Sequence, residues 1–361
     1  MPVPLRNWCT VSLSALRSNL RTLRRASPRG TRVLAVVKDN AYGHGLVPVA
    51  RALARAGCEE FGVAFASEGA ELRQAGIREP ILLLGSSLPS EFPIALAHRL
   101  TVTLSSLTEA RELARAAEKA RTTALVQAKL DTGMNRLGAK PRDFFPLLAF
   151  LTRHPRLEQV GTFTHLACAG SDPKFTRRQL EESFLLPMTG RRHYANTAAS
   201  LSRLPYPMTH IRPGIGLYGI DPRSAARTPL RPVLSWKSRI LVVRHVRRGE
   251  TVSYGATFRA PRDLRIATVA TGYADGLPFS LGNRGHALVH GRLCPIVGRV
   301  TMDMTLLNVS SLPSARRGDE VVWIGRSGTK LRRAVDLAEE ADTIPWEIFT
   351  RIAPRIPRFY I

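Results

Sequence analysis

The chain has 361 residues, of which 44% are hydrophobic and 22% are charged, and its formal net charge at pH 7 is +25. This composition is ordinary for a globular protein, and the length suffices for one large domain or two ordinary ones. No apolar run reaches transmembrane length, and the first residues lack the apolar core of a secretory signal, which argues against a membrane or secreted protein.

The excess of basic residues is spread along the whole chain, and its longest clusters are pairs such as Arg24-Arg25 and Arg191-Arg192. No zinc-finger spacing and no RNA-binding aromatic motif accompanies them. We therefore predict solvated basic faces and no nucleic-acid partner, although a field of this sign attracts phosphates and carboxylates. The four cysteines show neither metal-site nor disulfide spacing, so we expect no metal and a location in the reducing cytoplasm.

The first residues predict a strand followed by an amphipathic helix. From about residue 10 to about 220, short apolar runs alternate with helical patterns, which is typical of parallel strands joined by helical crossovers. The runs before residue 165 are 33–37, 61–65, 80–84, 100–104, 124–130 and 159–164. Six runs with room for two more predict a (β/α)8 TIM-type barrel over residues 10–225. An open doubly wound sheet is the alternative.

After about residue 225 the pattern changes to strand-like runs separated by Gly, Pro, Asn and Asp, with few helical stretches. The runs are 238–244, 265–271, 287–290, 294–300, 304–309 and 320–324. They predict a mainly antiparallel β domain over residues 226–361, which residues 1–9 are expected to join.

Lys38 stands at the end of the first apolar run of the predicted barrel, in the stretch VLAVVKDNAYGHG at residues 33–45. The functional residues of such barrels lie at the carboxyl ends of the strands. A lysine at a strand end is also common as a side chain that only reaches solvent. Position alone therefore leaves both interpretations open.

The surrounding motifs favour a functional lysine. The stretch AVVKDNAYGHG closely resembles the signature of alanine racemases, and further motifs of that family follow in the family's order. They are KLDTGMNRLG at 129–138, THLA at 164–167, NTAAS at 196–200, RPGIGLYG at 212–219, VSYGATF at 252–258, GYADG at 272–276 and GRVTMDM at 298–304. This ordered set spans nearly the whole chain, which makes the resemblance specific.

The resemblance implies an enzyme that interconverts L- and D-alanine with pyridoxal 5′-phosphate (PLP) and supplies D-alanine for cell-wall peptidoglycan. PLP would act as the electron sink that the α-proton's removal requires. Lys38 would bind PLP covalently and serve the D enantiomer as base, and Tyr254 would serve the L enantiomer. Because a phenol has an unperturbed pKa of about 10, Tyr254 needs cationic neighbours, for which His165 and Arg212 are candidates.

The same resemblance assigns the remaining site residues. Arg212 would face the pyridine nitrogen of PLP and, because a guanidinium keeps its proton, leave that nitrogen unprotonated. Arg136 would reach the cofactor's phenolic oxygen and the substrate carboxylate, and Lys129 matches a lysine that many family members carbamylate. The other implied contacts are Tyr42, Thr197, Gly214, Ile215 and Trp346 at the phosphate, Asn196 and His165 beside the cofactor, and Met302 and Asp303 at the substrate.

Four features depart from the family pattern. Trp346 stands where a tyrosine usually contacts the phosphate, and Thr301 replaces a common cysteine. Gly170 and Ser171 stand where an acidic residue is usual, and Phe279 where an arginine is common. The last two changes predict a less polar substrate entrance. Alanine remains the expected substrate, with racemisation of another small amino acid such as serine as an alternative.

Two other enzyme or binding functions share this architecture in part. A PLP-dependent amino-acid decarboxylase generally places an acidic residue at the pyridine nitrogen, and Arg212 argues against it. A non-catalytic PLP-binding protein of the single-domain barrel type would lack the residues from about 230 onward.

The resemblance also implies a homodimer with composite sites. Lys38 lies on the predicted barrel, whereas Tyr254 lies on the predicted β domain. In the family, each chain presents its β-domain residues to the barrel of its partner, and a two-fold axis creates two such sites at once.

Overall fold

The structure is a computed structural model that describes residues 5–187, 189–202, 204–223 and 228–361. The chain divides into two compact units. The barrel unit comprises Ala15–Ala41 and Gly45–Arg231, and the β unit comprises the stretch up to Ser14 together with Tyr42–His44 and Pro232–Ile361. The expected domain boundary at residues 225 and 226 lies outside the described residues.

Strands and helices alternate up to Ile211. In chain order they are β1 (Asn7–Val11), α1 (Leu13–Ala26), β2 (Arg32–Val36), α2 (Lys38–Tyr42), α3 (Leu46–Arg55), β3 (Glu60–Val63), α4 (Ala66–Gln74), β4 (Ile81–Ser86), α5 (Phe92–Ala97), β5 (Thr101–Leu104), α6 (Leu107–Lys119), β6 (Ala124–Lys129), α7 (Pro141–Arg153), β7 (Leu157–Phe163), α8 (Pro173–Phe184), β8 (Arg191–His193), α9 (Thr197–Leu201) and β9 (His210–Ile211).

Strands dominate the rest of the chain. They are β10 (Leu234–Val246), β11 (Thr251–Val252), β12 (Phe258–Arg259), β13 (Leu264–Val269), β14 (His286–Val289), β15 (Arg292–Pro295), β16 (Thr305–Asn308), β17 (Glu320–Ser327), β18 (Lys330–Arg332) and β19 (Arg358–Tyr360), with helices α10 (Ala334–Glu340) and α11 (Pro345–Arg351). No described helix combines the length and the apolar character that crossing a bilayer requires.

Eight parallel strands form the sheet of the barrel unit, in the order β8-β7-β6-β5-β4-β3-β2-β9. The two ends of this order meet, because the amide of Thr209 donates to the Arg192 carbonyl at 2.9 Å and the amide of Arg212 donates to the Ala195 carbonyl at 2.7 Å. The predicted (β/α)8 barrel is confirmed, and the open doubly wound alternative is wrong.

Local sequence explains the crossover helices of the barrel. α6 begins where Ser106 accepts a hydrogen bond from the amide of Glu109 at 3.2 Å, while the Glu109 carboxylate accepts one from the amide of Ser105 at 2.6 Å. Together these contacts satisfy donors that a helix start leaves free. The apolar positions of α6 recur at helical spacing, so that Leu113 and Ala117 are buried while the charged positions face solvent.

One buried amide connects distant parts of the barrel unit. Asn19 on α1 donates from Nδ2 to the carbonyls of Leu217 at 3.0 Å and Arg231 at 2.8 Å, and its Oδ1 accepts from the amide of Arg231 at 2.7 Å. The side chain is fully buried. Asn19 therefore fixes the backbone at Leu217 and Arg231, in the segment that follows the last barrel strand, β9.

A long strand organises the β unit. β10 pairs antiparallel with β1, β13 and β17, and β1 pairs parallel with β19. The sheet order is β15-β14-β17-β10-β1-β19, and the predicted mainly antiparallel β architecture is confirmed. The predicted run 294–300 is wrong beyond Pro295, since Gly298 takes a φ of +75°, a conformation that strands do not use.

We predict that Asn19→Leu lowers the free energy of unfolding by about 2–4 kcal/mol, because two buried carbonyls and one buried amide lose their partner. Urea unfolding followed by circular dichroism measures the change. Arg17→Leu, at an exposed position of the same helix, is the control and should shift stability by no more than about 0.5 kcal/mol. Equal effects of the two variants would contradict the structural role of Asn19.

Candidate active site

The predicted functional side chains of the barrel unit follow its parallel strands, where the carboxyl ends of those strands lie together. The residues are Lys38 after β2, Lys129 at the end of β6, His165 after β7, Asn196 after β8 and Arg212 directly after β9. The strand pattern thus brings to one end of the barrel residues that are far apart in sequence.

Electrostatics indicates that several cationic side chains lie near His165. Burial, followed by the charges of Arg212, Lys129, Arg136 and Lys38, lowers the pKa of His165 to about 3. Four cations therefore surround a single imidazole, which is neutral at pH 7. The site is strongly positive and suited to a ligand that carries phosphate and carboxylate groups.

Arg212 lies at the centre of this site. Its guanidinium is buried and donates to the carbonyls of His193 at 2.8 Å and Thr164 at 2.7 Å, and to the Nδ1 atoms of His193 and His165, the latter at 3.1 Å. The Phe163 ring lies 5.0 Å from the Arg212 guanidinium carbon. No carboxylate of the described residues lies within ion-pair distance of Arg212, and burial lowers its pKa to about 9, so the group stays charged at neutral pH.

The bonds from Arg212 fix the tautomers of two histidines. Because Nδ1 of His193 accepts from Arg212, its Nε2 carries the proton and donates to Gln127 Oε1 at 2.7 Å. Nδ1 of His165 likewise accepts. The prediction that His165 could be a cationic neighbour of a catalytic phenol is therefore wrong, because burial and four nearby cations keep it neutral. Arg212 is the cation of this network.

Lys129 is buried at the end of β6. Burial and the charges of Arg212 and Arg136 lower the pKa of its amine to about 8, although Asp131 opposes the change. In the part of the chain that the structure describes, no carboxylate pairs with Nζ, which lies 5.6 Å from the centre of the Phe163 ring. The nearby Asp131 pairs with Lys140 instead, at 2.8 Å.

Asp131 shapes the loop that carries Arg136. Its carboxylate accepts from Lys140 Nζ at 2.8 Å and from the amides of Gly133 and Asn135 at 3.0 Å each. Although burial opposes the effect, these bonds lower the pKa of Asp131, which stays ionised. The loop leaves Arg136 exposed at the mouth of the site.

The predicted phosphate residues of the barrel unit lie together. Thr197 Oγ1 accepts from the amides of Gly214 and Gly216 at 3.2 Å each, which draws the loop after β9 onto the start of α9. The amide of Ile215 has no partner among the described residues. Asn196 caps α9 by accepting from Ala199 at 3.1 Å, as expected for a residue that shapes this loop.

Lys38 begins a left-handed turn. From Asp39 to Tyr42 every residue has a φ of 53–54°, and Gly43 follows with a φ of 75°. Four successive non-glycine residues in this region are strained, each by about 1–2 kcal/mol. In the barrel unit, Asn40 supports the turn by accepting from the amides of Gly45 and Leu46 at 3.0 and 2.8 Å.

Lys38 forms an ion pair within the same turn. Its Nζ lies 3.2 Å from Asp39 Oδ2, and both side chains are partly exposed. The left-handed backbone therefore presents the amine at the end of β2, beside an acidic neighbour.

The last part of this segment belongs to the β unit. The carbonyl of Gly43 accepts from Arg358 Nε at 3.2 Å, and the His44 ring meets the Phe349 ring edge-on at 4.9 Å between centres. A β-carbon added to Gly43 would lie 2.2 Å from the Phe349 carbonyl oxygen. Tyr42 is buried here, and Trp346 is half-buried on α11.

Tyr254, Met302 and Asp303 lie on loops of the β unit. The Tyr254 side chain is 75% exposed in a tight turn in which Ser253 has a φ of 66°. Ser253 Oγ donates to the Arg299 carbonyl at 2.8 Å, which ties this turn to the loop before Met302. Both the phenol and Met302 are thus held at the surface of the chain rather than packed in its core.

Arg355 positions Asp303, and the sequence analysis missed it. Its guanidinium donates to Asp303 Oδ1 at 3.0 Å and, through Nε and Nη2, to Asp275 Oδ1 at 3.0 and 2.7 Å. Asp275 is buried and also accepts from the amide of Gly272 at 3.0 Å. Arg355 is one of several arginines in its segment of the sequence, and only its contacts with Asp275 and Asp303 in the folded chain distinguish it from the others.

Gln179 on α8 is a second residue that the sequence analysis missed. Its buried amide accepts from the amide of Ala167 at 2.9 Å and donates to the His165 carbonyl at 3.2 Å and to Thr132 Oγ1 at 3.3 Å. It therefore fixes the backbone on both sides of His165.

The structure shows the surroundings of Gly170, Ser171 and Phe279, the positions at the predicted substrate entrance that depart from the family pattern. Where the family has an acidic residue at 170 or 171, the neighbouring Asp172 is used as the cap of α8 and accepts from the amide of Phe175 at 2.9 Å. Phe279 is 55% exposed and meets the ring of Tyr273 edge-on. Neither position supplies a free charge.

Comparison with known proteins agrees with this arrangement. The family model described as alanine racemase, N-terminal domain, matches residues 11–222, and that described as alanine racemase, C-terminal domain, matches residues 233–360. The chain belongs to the alanine racemase family. Membership makes it an enzyme of the isomerase class.

Individual relatives cover nearly the whole chain. The alanine racemase of Methylacidiphilum infernorum is 38% identical over 99% of this chain and 94% of its own length. The solved alanine racemase of Clostridium difficile 630 is 30% identical and superposes with a TM-score of 0.93, covering 99% of this chain and 96% of that one. An alanine racemase from Bartonella henselae, solved with covalently bound pyridoxal phosphate, is 29% identical with a TM-score of 0.89 over 99% of this chain and 100% of that one.

We predict that Gly43→Ala is strongly destabilising, because it combines a positive φ with a clash against the Phe349 carbonyl. Gly57→Ala is the matched control, since Gly57 has a φ of 80° and open space around it. We expect a cost of about 1–2 kcal/mol for Gly57→Ala and at least about 2 kcal/mol more for Gly43→Ala, measured by urea unfolding. Equal costs would show that no close approach occurs at Gly43.

Proposed function

We propose that the chain is a cytoplasmic, PLP-dependent alanine racemase that uses Lys38 and Tyr254 as its two bases and supplies D-alanine for peptidoglycan. The observation that carries this proposal is the buried guanidinium of Arg212, which has no carboxylate partner in the described ranges of the chain and lies in the same cationic site as Lys38. An acidic residue would be expected in its place in a decarboxylase of the same architecture.

The residues of the site fit PLP. Arg212 offers a permanent donor to a ring nitrogen, and the network of neutral histidines around it provides no proton to that atom. The amide of Ile215 and the hydroxyl of Thr197 lie on the loops after β9 and β8, where barrels of this type bind phosphate. Tyr42 and Trp346 are proposed as further phosphate contacts. Gly214 is proposed to line the phosphate loop without donating to the phosphate, because the Gly214 amide already donates to Thr197 Oγ1.

The cofactor, when bound, supplies the electron sink that makes the α-proton of an amino acid removable. Lys38 would hold the cofactor covalently at the end of β2; once the amine of the substrate displaces it from the cofactor, its freed amine would exchange a proton with the α-carbon on one face. Tyr254 exchanges a proton with the same carbon on the opposite face. Arg212 limits the sink by keeping the ring nitrogen unprotonated, which disfavours transamination.

The substrate carboxylate is proposed to bind Arg136, whose loop Asp131 shapes. Lys129 would brace Arg136 as a carbamate: its lowered pKa makes the neutral amine more abundant at pH 7 than in an ordinary lysine, and neutral amine is the form that reacts with CO2. The resulting anion would relieve the repulsion between the cations of the site. Asp303 and Met302 would close the substrate side.

Alanine is the proposed substrate, and serine is the second candidate. The observation that keeps serine open is the uncharged entrance, where Phe279 is exposed and Asp172 is engaged as a helix cap. A circular dichroism assay with L-alanine and then with L-serine distinguishes the two.

We also propose that the enzyme works as a homodimer with composite sites. Lys38 belongs to the barrel unit and Tyr254 to the β unit, and the phenol is 75% exposed in the single chain. A base that acts on one face of a substrate has to be shielded from water, so another surface must cover Tyr254. A second copy related by a two-fold axis would cover both phenols at once.

We predict that Lys38→Ala abolishes two properties together: the near-visible absorbance of the purified enzyme that borohydride removes, and racemisation of alanine. Both depend on the primary amine at the end of β2. Lys119→Ala, at an exposed position near the end of α6, is the control and should retain both. A Lys38→Ala enzyme that keeps the reducible absorbance would refute the assignment.

We predict that mixing inactive Lys38→Ala with inactive Tyr254→Ala restores activity after subunit exchange. In the composite arrangement one site of each mixed dimer has both intact residues, so that activity approaches about a quarter of the wild-type value. The measurement is racemase activity against time after mixing, with dimer exchange followed by native mass spectrometry. If mixed dimers form and stay inactive, both bases come from the same chain.

A further inference from the structure

A cavity of about 690 Å³ lies at the opposite end of the barrel strands from the candidate active site. Its lining residues lie before or within the first four residues of consecutive strands, among them Pro80 before β4, Thr101 in β5, Leu125 in β6, Val160 in β7 and Arg191 in β8. Because the strands are parallel and the candidate catalytic residues follow their carboxyl ends, this cavity is a separate feature of the barrel unit.

The charge around this cavity is unbalanced. Arg73, Arg78, Arg99 and Arg191 line it, and Glu158 is the one carboxylate among its lining residues. Glu158 forms no ion pair with any residue that the structure describes. Of the four arginines, only Arg191 has an ion-pair partner among the described residues. Like charges gathered with few counterions repel each other, and an anionic ligand removes that cost.

Arg73 is held in place as a donor. Its Nε donates to the carbonyl of His98 at 3.1 Å, and its Nη1 donates to the carbonyls of Ile77 at 2.8 Å and Glu79 at 2.7 Å. Burial lowers its pKa, Glu79 opposes the effect, and the charge of Arg99 adds to it. The guanidinium is thus pre-oriented by neutral oxygens, with a second cation close by.

Arg191 is anchored on the other side of the cavity. Its Nε lies 2.6 Å from Oε1 of the buried Glu60, which also lies 3.2 Å from Nε2 of His210. The two terminal nitrogens of Arg191 have no hydrogen-bond partner among the described residues. Arg78 and Arg99 are exposed, and their side chains form no hydrogen bond or ion pair within the same set.

Part of the lining is apolar and is formed by Ile77, Pro80, Leu125 and Val160, with the polar His98 and Thr101 nearby. The volume lies within the usual range of small-molecule sites and far exceeds what a single inorganic phosphate fills. An adjoining cavity of about 360 Å³ shares Arg99 and adds Arg121 and Arg156. The site therefore offers a ring-sized apolar surface beside an extended row of guanidinium groups.

We propose that this cavity binds a nucleoside di- or triphosphate. The phosphates contact Arg73, Arg78, Arg99 and Arg191, which donate the charge-assisted hydrogen bonds that guanidinium forms with phosphate oxygens. The base lies on the apolar residues. The proposal does not depend on the reaction at the other end of the barrel.

The test is isothermal titration calorimetry of the PLP-loaded enzyme with ATP at physiological salt, with adenosine and inorganic tripolyphosphate as comparison ligands. We expect saturable binding of ATP, and weaker binding of both comparison ligands. Arg78→Gln/Arg99→Gln should raise the Kd for ATP at least tenfold, because two charged contacts to phosphate are lost. Racemase activity of this variant should be unchanged, which shows that it is folded.

Arg17→Gln/Arg21→Gln is the matched control, since it removes the same charge from exposed positions of α1 that do not line the cavity. Its Kd for ATP should equal that of the unmodified enzyme. Three results would each overturn the proposal: no saturable binding of ATP, equal weakening by the two double variants, or tripolyphosphate binding as tightly as ATP.

Discussion

The candidate site depends on a buried positive charge, that of Arg212, which has no negative partner among the residues that the structure describes. Arg212 is surrounded by carbonyl oxygens and by imidazole nitrogens that can only accept from it. A guanidinium in a site of low polarity needs such acceptors, because its desolvation is costly. In meeting that need, the chain fixes the tautomers of His165 and His193 and holds both rings neutral. The same charge depresses the pKa of Lys129. Burial together with this one arginine thus sets the protonation states of several groups around it.

Strain is the second constraint on the site. The left-handed turn after Lys38 is unfavourable for each residue in it, and it persists because the surrounding structure fixes it. Asn40 secures its beginning within the barrel unit, and the backbone of Gly43 is packed against that of Phe349 within the β unit. A strained segment held in two places has little freedom to relax. The amine of Lys38 is therefore presented in a defined position.

The sequence was sufficient to predict those features that depend on local pattern. Alternating strands and helices identify the barrel, because the apolar residues of each strand or helix recur at a characteristic spacing within a short stretch of sequence. Lys38 and Arg212 could be predicted because each follows an apolar run or lies in a family motif. Arg355, Gln179 and His193 could not, because their roles arise from partners far away in sequence. The left-handed turn was also beyond prediction, since non-glycine residues adopt it only under tertiary constraint.

The pairing of β1 has a consequence for how the chain folds during synthesis. Residues 7–11 pair with β10, more than two hundred residues later, and with β19, which follows still further along the sequence. Because β10 and β19 are synthesised long after β1, β1 stays unpaired along both edges until β10 leaves the ribosome, and along one edge until β19 follows. The barrel strands pair mostly with sequential neighbours and face no such delay. Assembly of the sheet in the β unit, with its high contact order, is therefore the late event of folding, and the unpaired first strand is the segment most exposed to aggregation before it.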